Sequence, residues 1–209
     1  MDKEIPKYKG LIKEQREAET EAIKQILDSG NRRQFASGAV RDISDDKGRM
    51  DLLPIDTVST LAKYYDNLNE KDFTPFTISF MFMCINDFLI NSNESNLYHM
   101  LSSFIHDKFG SLENAMIEVS ILYQQGCIKY SPRNWQMAIP THSFLDSAMR
   151  HCCKYLRGDT DERHDRAFIW NILGLLWTRK HYPEVDDIYY GDEFNSKMIK
   201  EYQEKWGNK

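Results

Sequence analysis

Residues 143–178 read SFLDSAMRHCCKYLRGDTDERHDRAFIWNILGLLWT, two helix-length segments on either side of Gly158-Asp159-Thr160. In the first, about Ser143–Arg157, Leu145, Met149, Cys152 and Leu156 recur at three- and four-residue spacing and make an apolar stripe. In the second, about Asp161–Thr178, Ala167, Trp170, Leu173, Gly174 and Leu176 supply the packing face. Gly158 accepts the left-handed backbone that ends helices, and Asp159 or Thr160 is expected to cap the second one. So short a turn makes the two helices antiparallel neighbours. The predicted fold is all-α: a single-domain helical bundle with an irregular N-terminal loop segment and a helical insertion.

Working outward, the second helix is expected to end near Lys180, with Pro183 beyond it and a tail over 181–209 carrying one short exposed helix. Upstream, Pro132 and Pro140 forbid a continuous helix through IKYSPRNWQMAIP. Before that, LENAMIEVSILYQQG predicts a helix stopped by Gly126. The stretch 66–111 reads as an insertion of one or two helices, a strand in its phenylalanine-rich part being the alternative, and suits a scaffold or an oligomer interface. Pro54 precedes a helix, IDTVSTLAKYYDNL, with Val58, Leu61, Ala62 and Tyr65 on one face. Gln34–Pro54 is polar and reads as a loop, and Lys9–Ser29 as a charged helix. The expected organisation is therefore 1–33 as an N-terminal helix, 34–180 as the main domain with 66–111 inserted, and 181–209 as the tail.

The bulk composition narrows the class of function. Of 209 residues 41% are hydrophobic and 12% aromatic, enough to bury a core. A net charge of −5 and a pI near 5.7 argue against a nucleic-acid polymer as main partner, since a phosphate backbone is met by a basic face. A single nucleotide needs only a bound cation or a few arginines. MDKEIPKYKG lacks the apolar core of a signal peptide, and no window is apolar enough to span a membrane, so a cytoplasmic location is expected. Cys84, Cys127, Cys152 and Cys153 show no CxxC spacing and read as reduced core residues.

Several residues fit chemistry as well as structure. Asp146 and Arg150 share one helix face, as an exposed ion pair worth about 0.3–0.5 kcal/mol or as site residues. His151 stacks a turn above Ser147, and His164 and Asn171 lie seven apart on one face. Antiparallel packing lets His164 approach His151, and two histidines with several carboxylates suit metal coordination or acid–base work. Lys129, Arg133, Asn134 and Trp135 suit phosphate pairing and base stacking, or a connection anchored by a buried Trp135. Glu118 is a ligand or one end of a salt bridge. Lys47, Arg49 and Asp51 complement a phosphate or are simply surface.

Together these blocks resemble a known family. SGAVRD (37–42), KGRMDLLP (47–54), KYSPRNW (129–135), FLDSAMRH (144–151), YLRGDTDERH (155–164) and WNILGLL (170–176) are similar, in order, to the phage and prophage dATP/dGTP diphosphohydrolases. The resemblance implies an enzyme related to the all-α MazG-like pyrophosphohydrolases. Its activity would be metal-dependent hydrolysis of dATP or dGTP to the monophosphate and pyrophosphate, in the host cytoplasm. Under that reading Mg²⁺ or Mn²⁺ is held by Glu118, Asp146 and Asp51, and the catalytic groups are His151, His164 and Asp146. Lys47, Arg49, Lys129, Arg133, Arg150 and Asn171 meet substrate, with Asn134 and Trp135 at the base. The partner is a small nucleotide rather than a polymer or membrane, and the apolar insertion leaves room for a homo-oligomer. Three features depart from the pattern: Met137-Ala138 stands for Lys-Gly, the 66–111 stretch lies outside it, and no EExxE motif occurs. Two alternatives follow. One is an HD-type phosphohydrolase using His151, His164-Asp165 and Asp186 or Asp187; the other is a non-catalytic protein that binds a nucleotide or host factor.

Overall fold

The computed structural model describes residues 32–42, 47–69 and 71–188, with the single positions 191, 200 and 204. The helix expected over 9–29 and most of the tail lie outside them. The chain divides into two compact units, Met1–Asp45 and Asp46–Lys209.

In the first unit, the loop expected from Gln34 onward contains a strand. β1 (Arg32–Gln34) and β2 (Val40–Asp42) pair antiparallel, with Arg32 opposite Asp42. Gly38, at φ +85°, lets the chain reverse, and its N–H donates to the Phe35 carbonyl at 2.9 Å.

The second unit is helical: α1 (Ile55–Asp66), α2 (Ile78–Asn91), α3 (Ser95–Phe109), α4 (Leu112–Lys129), α5 (Thr141–Arg157) and α6 (His164–His181). Short 3-10 turns lie at Met50–Leu52, Asn134–Gln136 and Pro183–Val185. The phenylalanine-rich stretch is helix α2, started by Thr77, whose hydroxyl accepts the Phe80 N–H at 3.1 Å. Ser111 opens α4 in the same way through the Asn114 N–H. The stretch 66–111 is core: Leu97, Met100, Leu101 and Ile105 on α3 are fully buried.

Helix α6 is apolar around most of its circumference, with Phe168, Ile169, Ile172, Leu173 and Leu175 all fully buried, so it is the central helix that the others wrap. Three expectations need correcting. On α5, Leu145 and Cys152 are buried as expected and Met149 packs against the core, but Leu156 is 40% exposed, and Phe144 and Ala148 fill out the stripe, with Phe144 set against Gly174. Gly126 does not stop α4, which runs to Lys129, where Pro132 is the real barrier; one glycine costs a helix only about 1 kcal/mol. Helix α6 starts at His164 with no side-chain cap, because Asp161 and Glu162 are engaged with Lys154 and the histidines instead of turning into helix. Among the cysteines Cys84 and Cys152 are buried, which pushes their thiols up to about 11 and about 12, but Cys153 is exposed.

The loop KGRMDLLP docks on α4. The Gly48 N–H donates to Gln124 Oε1 at 2.9 Å and the Arg49 N–H to the Ser120 carbonyl at 3.0 Å. A Cβ on Gly48 would stand 1.9 Å from Ser120 Oγ, so only glycine permits this approach. At the other end of α5, the segment after α6 returns to the helix start. Asp187 accepts the His142 N–H at 2.9 Å and pairs with the His142 ring, and Thr141 Oγ1 donates to Asp186 at 2.6 Å.

Two consequences can be measured. A Cβ on Gly174 would stand 2.5 Å from the Phe144 ring, so Gly174→Ala is expected to lose about 1–3 kcal/mol in urea unfolding through overpacking. The Asp187 carboxyl is held below its ordinary value. Burial works against this, but hydrogen bonds from the His142 backbone and ring and from Thr141 outweigh it. A depressed carboxylate contributes stability that is full above its unfolded pKa, about 3.9, and is lost as pH falls through the folded value. Asp187→Asn should therefore lower Tm at pH 7, with the gap from the parent protein closing as pH drops below about 4.

Candidate functional site

The C-terminal half of α4, the turn that follows it, and the facing sides of α5 and α6 enclose a cleft of about 530 Å³. Gly126, without a side chain, opens its wall, and Lys129 and Arg133 supply two cations. Arg133 sits in left-handed backbone at φ +61° and donates to the Asp51 carbonyl at 2.9 Å, which ties the turn to the docked KGRMDLLP loop. Asn134, Ser147, His151 and Asn171 add to the polar lining. Asn171 is buried and donates to the Ala167 carbonyl one turn earlier at 2.7 Å, which leaves its side-chain oxygen as an acceptor.

Trp135 belongs to the cleft wall and to the core at once. It is 6% exposed and meets Tyr123 and Trp177 edge-on, with centroids 5.4 and 4.8 Å away. Both Trp135 and Tyr123 line the cleft, and the indole Nε1 and the Tyr123 hydroxyl are buried with no hydrogen-bond partner. Such groups cost about 1–3 kcal/mol each unless something satisfies them.

Joined to this cleft through His151, the α5–α6 turn gathers a second group. His151 Nδ1 lies 3.0 Å from His164 Nδ1 and 3.2 Å from Glu162 Oε1, and His164 Nδ1 lies 3.3 Å from the same oxygen. His164 is 2% exposed, and its Nε2 faces Asp161 Oδ1 at 2.7 Å. Lys154 donates to the other oxygen of Asp161 at 2.9 Å. Hydrogen bonds from Lys154 and then His164 push the Asp161 carboxyl down to about 2. Burial pushes the His151 imidazole below its usual value, Glu162 opposing and His164, Arg150 and Lys154 assisting. His151 and His164 with Glu162, and His164 with Asp159 and Asp161, are the two donor groups of metal-binding spacing among the described residues.

The oxygen ligands expected from the sequence are not assembled. Asp51 is exposed and forks onto Arg49 with two hydrogen bonds of 2.6 Å, which hold its carboxyl below the usual range. Glu118 accepts from Arg166 at 2.8 Å and lies 3.2 Å from Arg163, which itself pairs with the buried Asp165. Asp146 is 68% exposed and pairs with Arg150 at 2.8 Å. Lys47, Arg49 and Arg150 do not line the cleft. The HD arrangement is not built either: Asp165 pairs with Arg163, and Asp186 and Asp187 meet α5 at Thr141 and His142. Those positions lie about 15 Å along the helix from His151. Neither Glu162 nor Asp161 is among the site residues expected from the sequence, which places both at the start of the second helix; their signal is the DERH run itself, which sets two carboxylates just before His164.

Comparison with curated proteins found no match, and comparison with solved structures found none either. Residues 94–188, spanning α3 to the segment after α6, match the model of a family described as dATP/dGTP diphosphohydrolase, N-terminal, and this supports the family that the sequence motifs resemble.

Proposed function

We propose that the chain hydrolyses a purine deoxynucleoside triphosphate, dATP or dGTP, to the monophosphate and pyrophosphate in phage nucleotide metabolism. The observation that carries this reading is the cleft. Lys129 and Arg133 line it, the lining residues Tyr123 and Trp135 each carry a buried donor without a protein partner, and His151 joins the lining to a histidine–carboxylate cluster. Lys129 and Arg133 would neutralise the triphosphate. Tyr123 Oη and Trp135 Nε1 would donate to acceptors of the sugar or base, and Asn134 and Asn171 would read its edge. Trp135, packed edge-on, acts as a donor rather than as a stacking platform.

Two imidazoles and carboxylates fit a divalent ion better than Glu118, Asp146 and Asp51, each already held by arginine. Bound there, such an ion would polarise phosphoryl oxygens and lower the pKa of a water. The chain's own part is to hold the triphosphate against Lys129 and Arg133, screen it from bulk water with the aromatic wall, and orient His164 through Asp161. Water adds to phosphorus, the bond to the pyrophosphate oxygen breaks, and the proton that water releases goes to a basic group beside the cleft.

A second reading, nucleotide binding without turnover, draws on one observation: the carboxylates expected to generate hydroxide are tied up in arginine pairs.

Purified protein incubated with each deoxynucleoside triphosphate and Mg²⁺, Mn²⁺ or Co²⁺ should release pyrophosphate, most from dATP or dGTP. Binding by calorimetry with no pyrophosphate from any combination would establish the second reading instead. Tyr123→Phe removes a hydroxyl that has no protein partner. It should leave Tm unchanged or slightly higher while weakening nucleotide binding by about 1 kcal/mol, roughly fivefold. A loss of Tm with unchanged binding would place that hydroxyl in the core instead of the site.

A further inference from the structure

We infer that His151 Nδ1, His164 Nδ1 and Glu162 Oε1 form a three-ligand site for a first-row transition-metal dication, with Asp161 as the outer carboxylate that orients His164. The three donor atoms stand 3.0, 3.2 and 3.3 Å from one another. Ligands about 2.0–2.2 Å from one such ion stand about 2.9–3.5 Å apart, so the triangle has the right edge without any rearrangement.

The tautomer agrees. Asp161 Oδ1, 2.7 Å from His164 Nε2, accepts that N–H, and a neutral imidazole then carries its lone pair on Nδ1, the atom that faces His151 and Glu162. Lys154 holds the other oxygen of Asp161, so the outer carboxylate is itself oriented. His164 is 2% exposed, and burying a histidine rigidly between two carboxylates and a second histidine is a costly arrangement for a surface turn. Two nitrogen ligands select the class of ion. Mg²⁺ prefers an all-oxygen octahedron with several waters, whereas imidazole suits Zn²⁺, Co²⁺ and their neighbours. Three protein ligands leave a coordination position free, and His151 belongs to both the cluster and the cleft lining.

Metal binding can be measured apart from any hydrolysis. The full chain, stripped with a chelator and titrated with Co²⁺, should bind one equivalent and develop ligand-field absorption in the visible. Zn²⁺ should displace that signal, and excess Mg²⁺ should not. Glu162→Gln and His151→Ala, both at positions reached by solvent, should each weaken Co²⁺ binding by about tenfold or more, and Asp161→Asn by about 10–100-fold. Circular dichroism and the Tm of the metal-free variants check that each stays folded. Absence of Co²⁺ binding, displacement by Mg²⁺ at equal concentration, or unchanged affinity in both Glu162→Gln and His151→Ala would overturn the site and leave a hydrogen-bonded histidine pair only. If Co²⁺ binds as expected while no nucleotide is hydrolysed, this site stands and the proposed activity falls.

Discussion

The Phe144 ring packs against the bare backbone of Gly174, with room there for no side chain larger than hydrogen. That contact lets α5 and α6 approach closely along their length, and Gly158, in left-handed backbone, closes their shared end. A close, tightly turned antiparallel pair has few ways to slide, because each side chain on one helix occupies a gap on the other. The register it imposes is what brings His151, near the end of α5, within 3.0 Å of His164, at the start of α6. The same packing turns Asn171 and Trp170 toward the cleft while α6 keeps Phe168, Ile169 and Ile172 in the core.

Around this pair, the arginines take most of the carboxylates. Arg163 spans Glu118 and Asp165, Arg166 adds to Glu118, and Arg49 and Arg150 each fork or bridge to an aspartate two or four residues away. A guanidinium pairs with a carboxylate through two parallel donors, so a neighbouring arginine competes well against any distant partner. The network fastens the start of α6 to α4. It also leaves Glu162 and Asp161, beside a lysine and two histidines and without an arginine, as the acidic groups facing the α5–α6 turn. Cleft and cluster are therefore two products of one geometry: a wall built by α4 and its following turn, and a corner built by the helix pair.

Much of the architecture was legible because it depends on local chemistry. The two helices and their glycine turn follow from apolar spacing and from Gly158. The proximity of His151 and His164 follows from a turn too short to allow anything but antiparallel neighbours. The expected all-α class holds for the described part of the second unit, and the one sheet among the described residues is the small hairpin at Arg32–Asp42. The site was legible only in outline. KYSPRNW announced cations and an indole, but not that Trp135 would bury its faces against Tyr123 and Trp177 and leave only its N–H without a partner.

What the amino-acid order by itself determined is the set of helices, the turn between α5 and α6, and the list of groups available for chemistry. Those depend on interactions within a few residues, and periodicity, glycine and proline report them directly. Only the tertiary structure decided which partners the acids take. Glu118 meets Arg163 and Arg166 from 45 and 48 residues away, and Asp186 and Asp187 meet Thr141 and His142 across a similar distance in the chain. Pairing between elements is set by where whole helices pack, and packing is a property of their combined surfaces that no local pattern records. For that reason the approach of His151 to His164 could be read in advance, while the arginines that hold Glu118 and the gathering of Glu162 beside the two histidines could not.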